Sequence, residues 1–234
     1  MTNDPARSYD AKFYRETASL GSAREVLAIV FEILKPTSVV DIGCGPGHWL
    51  AAAKELGASE ILGVDGDWVQ TTQLAIPRES FITRDLTQPL KLDWRFDVAL
   101  SLEVAEHLPE AAASTFIKTL CYASDVVVFS AAIPGQGGRH HVNEQWPEYW
   151  ARLFSGHGYD CYDYLRPKIW NNPRVTWYYA QNSLIFIKRG QSHRFGEPSL
   201  PLPLVHPTLW SAQVARMRSP GKLLEGLAKS ILQR

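Results

Sequence analysis

Glu103-Val104-Ala105-Glu106-His107 puts two carboxylates and an imidazole within five residues. An imidazole titrates near neutral pH, so His107 is a candidate base for taking a proton from a hydroxyl. A second polar cluster follows: Gly135-Gln136-Gly137-Gly138, then Arg139-His140-His141, then Glu144 and Trp146. The glycines permit a flexible lid, and the side chains supply hydrogen-bonding groups. Glu106, His107, His140 and His141 form the candidate catalytic set. Two carboxylates with two imidazoles also suit a divalent cation that keeps open positions. For that role the candidate ligands are Glu103, Glu106, His107 and His140, with His141 as the alternative to His140. At the level of the sequence, base and cation site are both open.

A third group is built on glycine. Val39-Val40-Asp41-Ile42 is a β-branched strand signal that runs into Gly43-Cys44-Gly45-Pro46-Gly47. Glycines in such a loop let the backbone approach a ligand closely and take positive φ. A dinucleotide site would set a pyrophosphate on the following helix N-terminus. Asp41 opposes that anion and suits a cationic ligand bearing an amino acid. Asp65, after Gly63-Val64 and before Gly66, stands where a carboxylate accepts from ribose hydroxyls. Asp85 and Leu86 follow the third strand, where a carboxylate suits an adenine amino group. Ser101 lies at the end of the fourth strand, at the edge where open α/β sheets bind ligands.

These residues need a scaffold, and the hydrophobic pattern predicts one. Helices are expected over 19–35, capped by Ser19 or Ser22, over 49–56, over 109–122 and over 149–155, the last opened by Pro147. Strands are expected over 38–42, 61–64, 80–83, 96–100, 125–130, 159–165 and 183–188. Such alternation implies a parallel sheet with helices on both faces.

With Asp41–Gly47, Asp65, Asp85 and Phe96–Leu108 in that order, the chain resembles the class I S-adenosylmethionine-dependent methyltransferases over roughly residues 20–190. The resemblance implies a doubly wound, Rossmann-like α/β fold. Its seven-stranded sheet has order 3-2-1-4-5-7-6, with strand 7 antiparallel. It places Asp41, Gly43, Cys44, Gly45 and Gly47 at the methionine part of the cofactor. Asp65 and Gly66 fall at the ribose, Asp85 and Leu86 at the adenine, and Trp68 or Asp67 beside them. The Glu-x-x-Glu-His segment, closed by a later His, is similar to the metal site of small-RNA 3′-terminal 2′-O-methyltransferases. It is more loosely similar to that of ubiquinone-type O-methyltransferases. Glu103 and Glu106 also fit the family's general pattern, which implies no metal. The reaction expected is O-methylation of a small molecule: a sugar, a glycan precursor or a secondary metabolite. The rivals are an RNA 2′-O-methyltransferase using the cation site and a non-catalytic cofactor-binding scaffold.

Composition narrows the partners. The 234 residues hold 24 Lys and Arg against 24 Asp and Glu, so no global charge favours nucleic acid or an anionic membrane. Cys44, Cys121 and Cys161 are widely spaced and form no CxxC, which argues against a zinc ribbon or a disulfide framework. The polar N-terminus and short apolar runs predict a cytoplasmic protein without a membrane span. Eleven of the 26 aromatics lie within residues 143–182. There Trp146, Trp170 and Arg174 are candidate substrate contacts, joined by Glu144 and, from an N-terminal cover segment (1–18), Tyr14. The catalytic domain is expected over 19–189. Residues 190–234 are read as a Pro-rich arm and a basic amphipathic tail, suited to dimerisation or to contact with a membrane surface.

Overall fold

A computed structural model describes residues 19–218. The chain divides into two compact units, one ending at Pro203 and the other starting at Leu204.

In the first unit, period-two alternation along each strand supplies two apolar layers. In β1 (Ser38–Ile42), Val40 and Ile42 enter one core cluster and Val39 the other. β4 (Val98–Leu102), β5 (Val126–Ser130) and β7 (Leu184–Lys188) divide in the same way: Leu100, Val128 and Ile185 face one layer, Ala99, Phe129 and Phe186 the other. α1 (Leu20–Leu34) and α2 (His48–Glu55) cover the first layer. α3 (Glu110–Ala123) and α4 (Pro147–Gly156) cover the second. α1 buries Ala23, Val26, Leu27, Val30 and Phe31, a stripe of helical spacing. It stops where Lys35 turns left-handed, one residue before Pro36.

With β2 (Glu60–Asp65), β3 (Phe81–Thr83) and β6 (Tyr159–Tyr162), the sheet has order β3-β2-β1-β4-β5-β7-β6. β7 is antiparallel to β5 and β6, and the pairs among β1 to β5 are parallel. The expected topology is therefore the observed one. Parallel pairing brings the C-terminal ends of β1 to β5 to one edge, so Asp41, Asp65 and the pair Ser101 and Glu103 converge from three segments distant in sequence.

The differences from the expected boundaries have local causes. β4 begins at Val98, not Phe96, because the Asp97 carboxylate accepts from Thr37 N, Thr37 Oγ1 and Ser38 N at 2.7–3.0 Å. It clips the start of β1 before the ladder begins. β6 ends at Tyr162, not Leu165. Asp163 there takes a bidentate ion pair from Arg166, which is 1% exposed, and Arg166 opens the short helix α5 (Arg166–Ile169). Ser19 is the N-cap residue of α1 without a side-chain capping bond, and Ser22 Oγ instead accepts from Thr176 N.

Part of the expected arm belongs with the catalytic unit. Phe195 is 4% exposed against Tyr164, Ser199 N donates to Cys161 O, and Arg166 Nη1 donates to Leu202 O. The unit starting at Leu204 contributes the helix Pro207–Met217, opened by His206 Nδ1 accepting from Thr208 N. No described helix is long and apolar enough to cross a membrane.

Candidate active site

The glycine loop leaves β1 under tight backbone control. Gly43 N and Cys44 N both donate to Val64 O of β2, at 2.8 and 3.2 Å. Gly43, Gly45 and Gly47 have φ of 90°, 52° and 88°, a region that glycine enters without steric cost. Gly43 is required for a second reason: a Cβ there would fall 2.4 Å from the Val104 side chain.

Asp65, at the end of β2, reaches across to the loop. Its carboxylate accepts from Gly45 N at 2.7 Å and Gly66 N at 2.6 Å. Burial nevertheless pushes its pKa up to about 6, against these hydrogen bonds and one from Trp68. Asp41 lies deeper, 2% exposed, and is pushed well above the usual range by burial and then by the charge of Asp65.

A cavity of 310 Å³ opens beside this loop. Gly43, Cys44, Gly45 and Pro46 form one wall, and Glu103, Glu106, His107 and His141 another. The lining also holds His48 and Trp49, Gln136 of the polar cluster, and an aromatic wall of Trp177, Tyr178 and Tyr179 from the aromatic-rich segment, none of them among the expected site contacts. His48 and Trp49 were legible in principle, since they directly follow Gly47 in the first turn of α2. The aromatic wall was not, because it depends on how the segment before β7 docks. Gly66, Asp67, Trp68, Thr83, Arg84 and Asp85 line a second hollow. Of the other residues expected at the cofactor, Gly47 N-caps α2, Leu86 is buried in the core, and Ser101 is fully buried behind the edge.

The Glu/His cluster is tightly made. Glu103 is held at φ 56°, a costly conformation for a residue with a side chain. Its two carboxylate oxygens accept from Gln136 Nε2 at 2.8 Å and Asn182 Nδ2 at 3.0 Å. Glu106 is fully buried in the 3₁₀ turn Ala105–His107, and its carboxylate oxygens make no hydrogen bond of ordinary geometry among the described residues, although the backbone amides of Glu106 and Ala132 approach them and partly oppose the effect of burial. Burial pushes its pKa well up, and the charge of Glu103 adds to the rise. The main-chain oxygen of Glu106 accepts from Val142 N and Asn143 N at 2.9 and 3.0 Å, tying the glycine-rich loop onto this turn. One potential ligand atom from each of Glu106, His107 and His141 lies within 4.8 Å of the others.

Burial, with smaller contributions from His141 and His140, lowers the His107 pKa from 6.5 to about 4. His107 is therefore neutral at physiological pH, as a base or a ligand must be. The depressed value also fixes a stability change. Between pH 6.5 and 4 the unfolded chain binds this proton and the folded one does not, so stability falls with pH across that window. The loss is about 3 kcal/mol at full extent. Asp65, with its raised value, acts in the opposite sense between 3.8 and about 6. Urea melts of the parent and His107→Asn across pH 4–7 isolate the histidine: the parent should lose more stability on acidification, and parallel curves would refute the assignment.

The structure separates other expected site residues from the cavity. Arg174 Nη2 and Asn172 Nδ2 both donate to Glu25 Oε2 on α1 at 2.9 Å, and neither Arg174 nor Trp170 lines the cavity. Trp146 is the N-cap of α4, 40% exposed and outside the cavity lining. Glu144 also lies outside the lining; its carboxylate holds the loop amides and His141. His140, at φ 61°, is replaced by His141 in the cluster. Glu103, which accepts from Gln136 and Asn182, is not one of the three clustered residues. Tyr14 falls outside the described residues.

Residues 14–166 match a family described as a methyltransferase domain. The chain belongs to the class I S-adenosylmethionine-dependent methyltransferases. It is an enzyme of that class. The matched region ends before the Trp177–Tyr179 wall. Among curated relatives, the ribosomal RNA large subunit methyltransferase E of Methanosarcina mazei is 34% identical over 34% of this chain and 38% of its own. A second, from Methanosarcina barkeri, is 34% identical over 32% and 36%. The chain thus spans well under half the length of these relatives.

Solved structures share the fold at low identity. Streptomyces venezuelae DesVI has 13% identity and a TM-score of 0.56, covering 80% of this chain and all of that one. The plantazolicin methyltransferase BpumL, solved with S-adenosylhomocysteine, has 15% identity and a TM-score of 0.54, covering 80% and 92%. The methyltransferase domain of bacterial CtHen1-C has 19% identity and a TM-score of 0.53, covering 72% and 97%.

Proposed function

We propose that this methyltransferase alkylates a hydroxyl oxygen of a small polar molecule, such as a sugar, a glycan precursor or a secondary metabolite. The observation that carries this reading is Glu106, sealed, without a hydrogen bond of ordinary geometry among the described residues and clustered with His107 and His141. A hydroxyl is a weak nucleophile until its proton is removed or its oxygen is held as an alkoxide, and a neutral amine needs no such help. An acidic and imidazole cluster on the cavity wall supports the hydroxyl.

The site fits its cofactor. Positive φ at three glycines opens the loop to a ligand, and the cavity beside it has room for one. In this reading the Gly43–Pro46 loop and Glu103 face the methionine part, Asp65 takes the ribose hydroxyls, and Asp85 lies at the adenine. When bound, the cofactor supplies an electrophilic methyl group on a sulfonium. Tyr178 and Trp177 form an apolar wall that excludes water and orients the acceptor.

The cluster also fits a divalent cation. A buried carboxylate without a well-formed hydrogen bond is costly unless something opposes its charge. Two imidazoles and a carboxylate are a donor set for Mg²⁺, Mn²⁺ or Co²⁺ with positions left for an acceptor oxygen. When bound, the cation supplies Lewis acidity that lowers the pKa of a hydroxyl. Glu106, His107 and His141 would hold it.

Labelled cofactor, incubated with polyhydroxylated acceptors and with RNA, tests the proposal. Label should enter a small molecule as an alkali-stable ether, stop with chelator and resume with Mg²⁺, Mn²⁺ or Co²⁺. Full activity in chelator would remove the cation, and label on nitrogen would remove the hydroxyl. Label in a ribose of RNA would favour the second reading, which the partial identity to ribosomal RNA methyltransferases supports.

A further inference from the structure

We infer that Glu144 is a positioning residue that fixes the ring nitrogen His141 presents to the cluster, with Gly138 as the backbone space that admits the ring. This rests on the reading of Glu106, His107 and His141 as the group that handles the acceptor oxygen.

The loop is wound around the Glu144 carboxylate. Gly135 N donates to Oε2 at 2.8 Å and Gly137 N donates to Oε1 at 2.7 Å. Both glycines have positive φ, 82° and 69°, which turns their amides inward. His141 Nδ1 lies 2.8 Å from the same Oε1. A carboxylate bonded by two amides is an acceptor, so the imidazole must donate through Nδ1–H. Nε2 then keeps its lone pair and is the nitrogen left to act. His141 is only 12% exposed at its side chain, and its ring meets that of His107 edge-on at 4.9 Å. The backbone at 138 passes directly beside it: a Cβ on Gly138 would stand 2.1 Å from His141 Nε2.

The loop's other end is held independently. Val142 and Asn143 bond to the Glu106 main chain, and Gln145 N bonds to Ala132 O at 3.2 Å. Removing the Glu144 carboxylate therefore frees the ring without detaching the loop. Carboxylates that orient an imidazole in this way fix its tautomer and its ring orientation.

Imidazole ¹⁵N spectra of the full chain, without metal or substrate, read the tautomer directly. At pH 7.5, His141 should be protonated on Nδ1. Glu144→Ala should shift it toward the Nε2–H form and weaken Mn²⁺ binding by about 10- to 100-fold, the usual effect of losing such a partner. Glu144→Gln keeps one acceptor oxygen and should retain the Nδ1–H tautomer. It also serves as the test should the alanine variant fail to fold. Gly138→Ala should displace the ring and weaken Mn²⁺ binding with Glu144 intact. Affinity for S-adenosylhomocysteine should stay unchanged throughout. A His141 still locked as Nδ1–H in Glu144→Ala, or protonated on Nε2 in the parent, overturns the inference. A parent with the expected tautomer, lost in Glu144→Ala, that binds no Mn²⁺ upholds the positioning role and overturns only the cation reading.

Discussion

Glu106→Gln should lower turnover by about 100- to 10,000-fold, the range that a positioned proton-handling group supplies. Affinity for S-adenosylhomocysteine should stay close to that of the parent. The substitution keeps the volume of a fully buried side chain and removes only its charge and proton chemistry. The carboxylate makes no hydrogen bond of ordinary geometry among the described residues, so the fold gains little from it. The variant should therefore melt no lower than the parent. A function that costs stability marks a residue kept for chemistry. Single-turnover rates and calorimetry separate the two effects. Retained turnover would return the cluster to a structural role, and a collapsed melting temperature would show that Glu106 holds the turn.

Asp65→Ala should weaken S-adenosylhomocysteine binding by about 100-fold, the loss of two charge-assisted hydrogen bonds totalling about 3 kcal/mol. On the proposed function, Glu106 shapes reaction and Asp65 shapes binding. The carboxylate also anchors the glycine loop through Gly45 N and Gly66 N, so removal leaves two buried amides unpaired and loosens the cradle. His107→Ala touches neither amide and should change this affinity little. Titration calorimetry on both variants checks the division, and equal losses would contradict it.

The elements were legible because each followed from local pattern. Val39, Val40 and Ile42 alternate into two layers, and Ala23, Val26, Val30 and their neighbours make one helix stripe. The glycine loop and Asp65 were legible for a related reason: positive φ and a carboxylate at a strand end are demands that residue type alone states. Boundaries slipped where a side-chain bond, distant or local, took over from the ladder. Asp97 clips β1 across a sequence gap of about 60 residues, and Arg166 ends β6 through Asp163.

The site was less legible, and the failures share one cause. His140 and His141 are neighbours with the same chemistry, and it is His141 that the folded loop brings to Glu106 and His107. Trp170 and Arg174 read as a substrate wall until Glu25, on a helix 149 residues away, takes Arg174 and Asn172. That docking leaves Trp177 and Tyr178 to line the cavity in their place.

The sequence by itself determined the sheet, its order through resemblance, the glycine loop and the acidic residues at the strand ends. Those follow from periodicity and from residues whose conformational or charge preferences are intrinsic. Only the tertiary structure decided which histidine joins Glu106, that Glu144 aims it, and which aromatics face the cavity. These depend on contacts between distant segments, and the patterns that predict elements carry no information about such contacts.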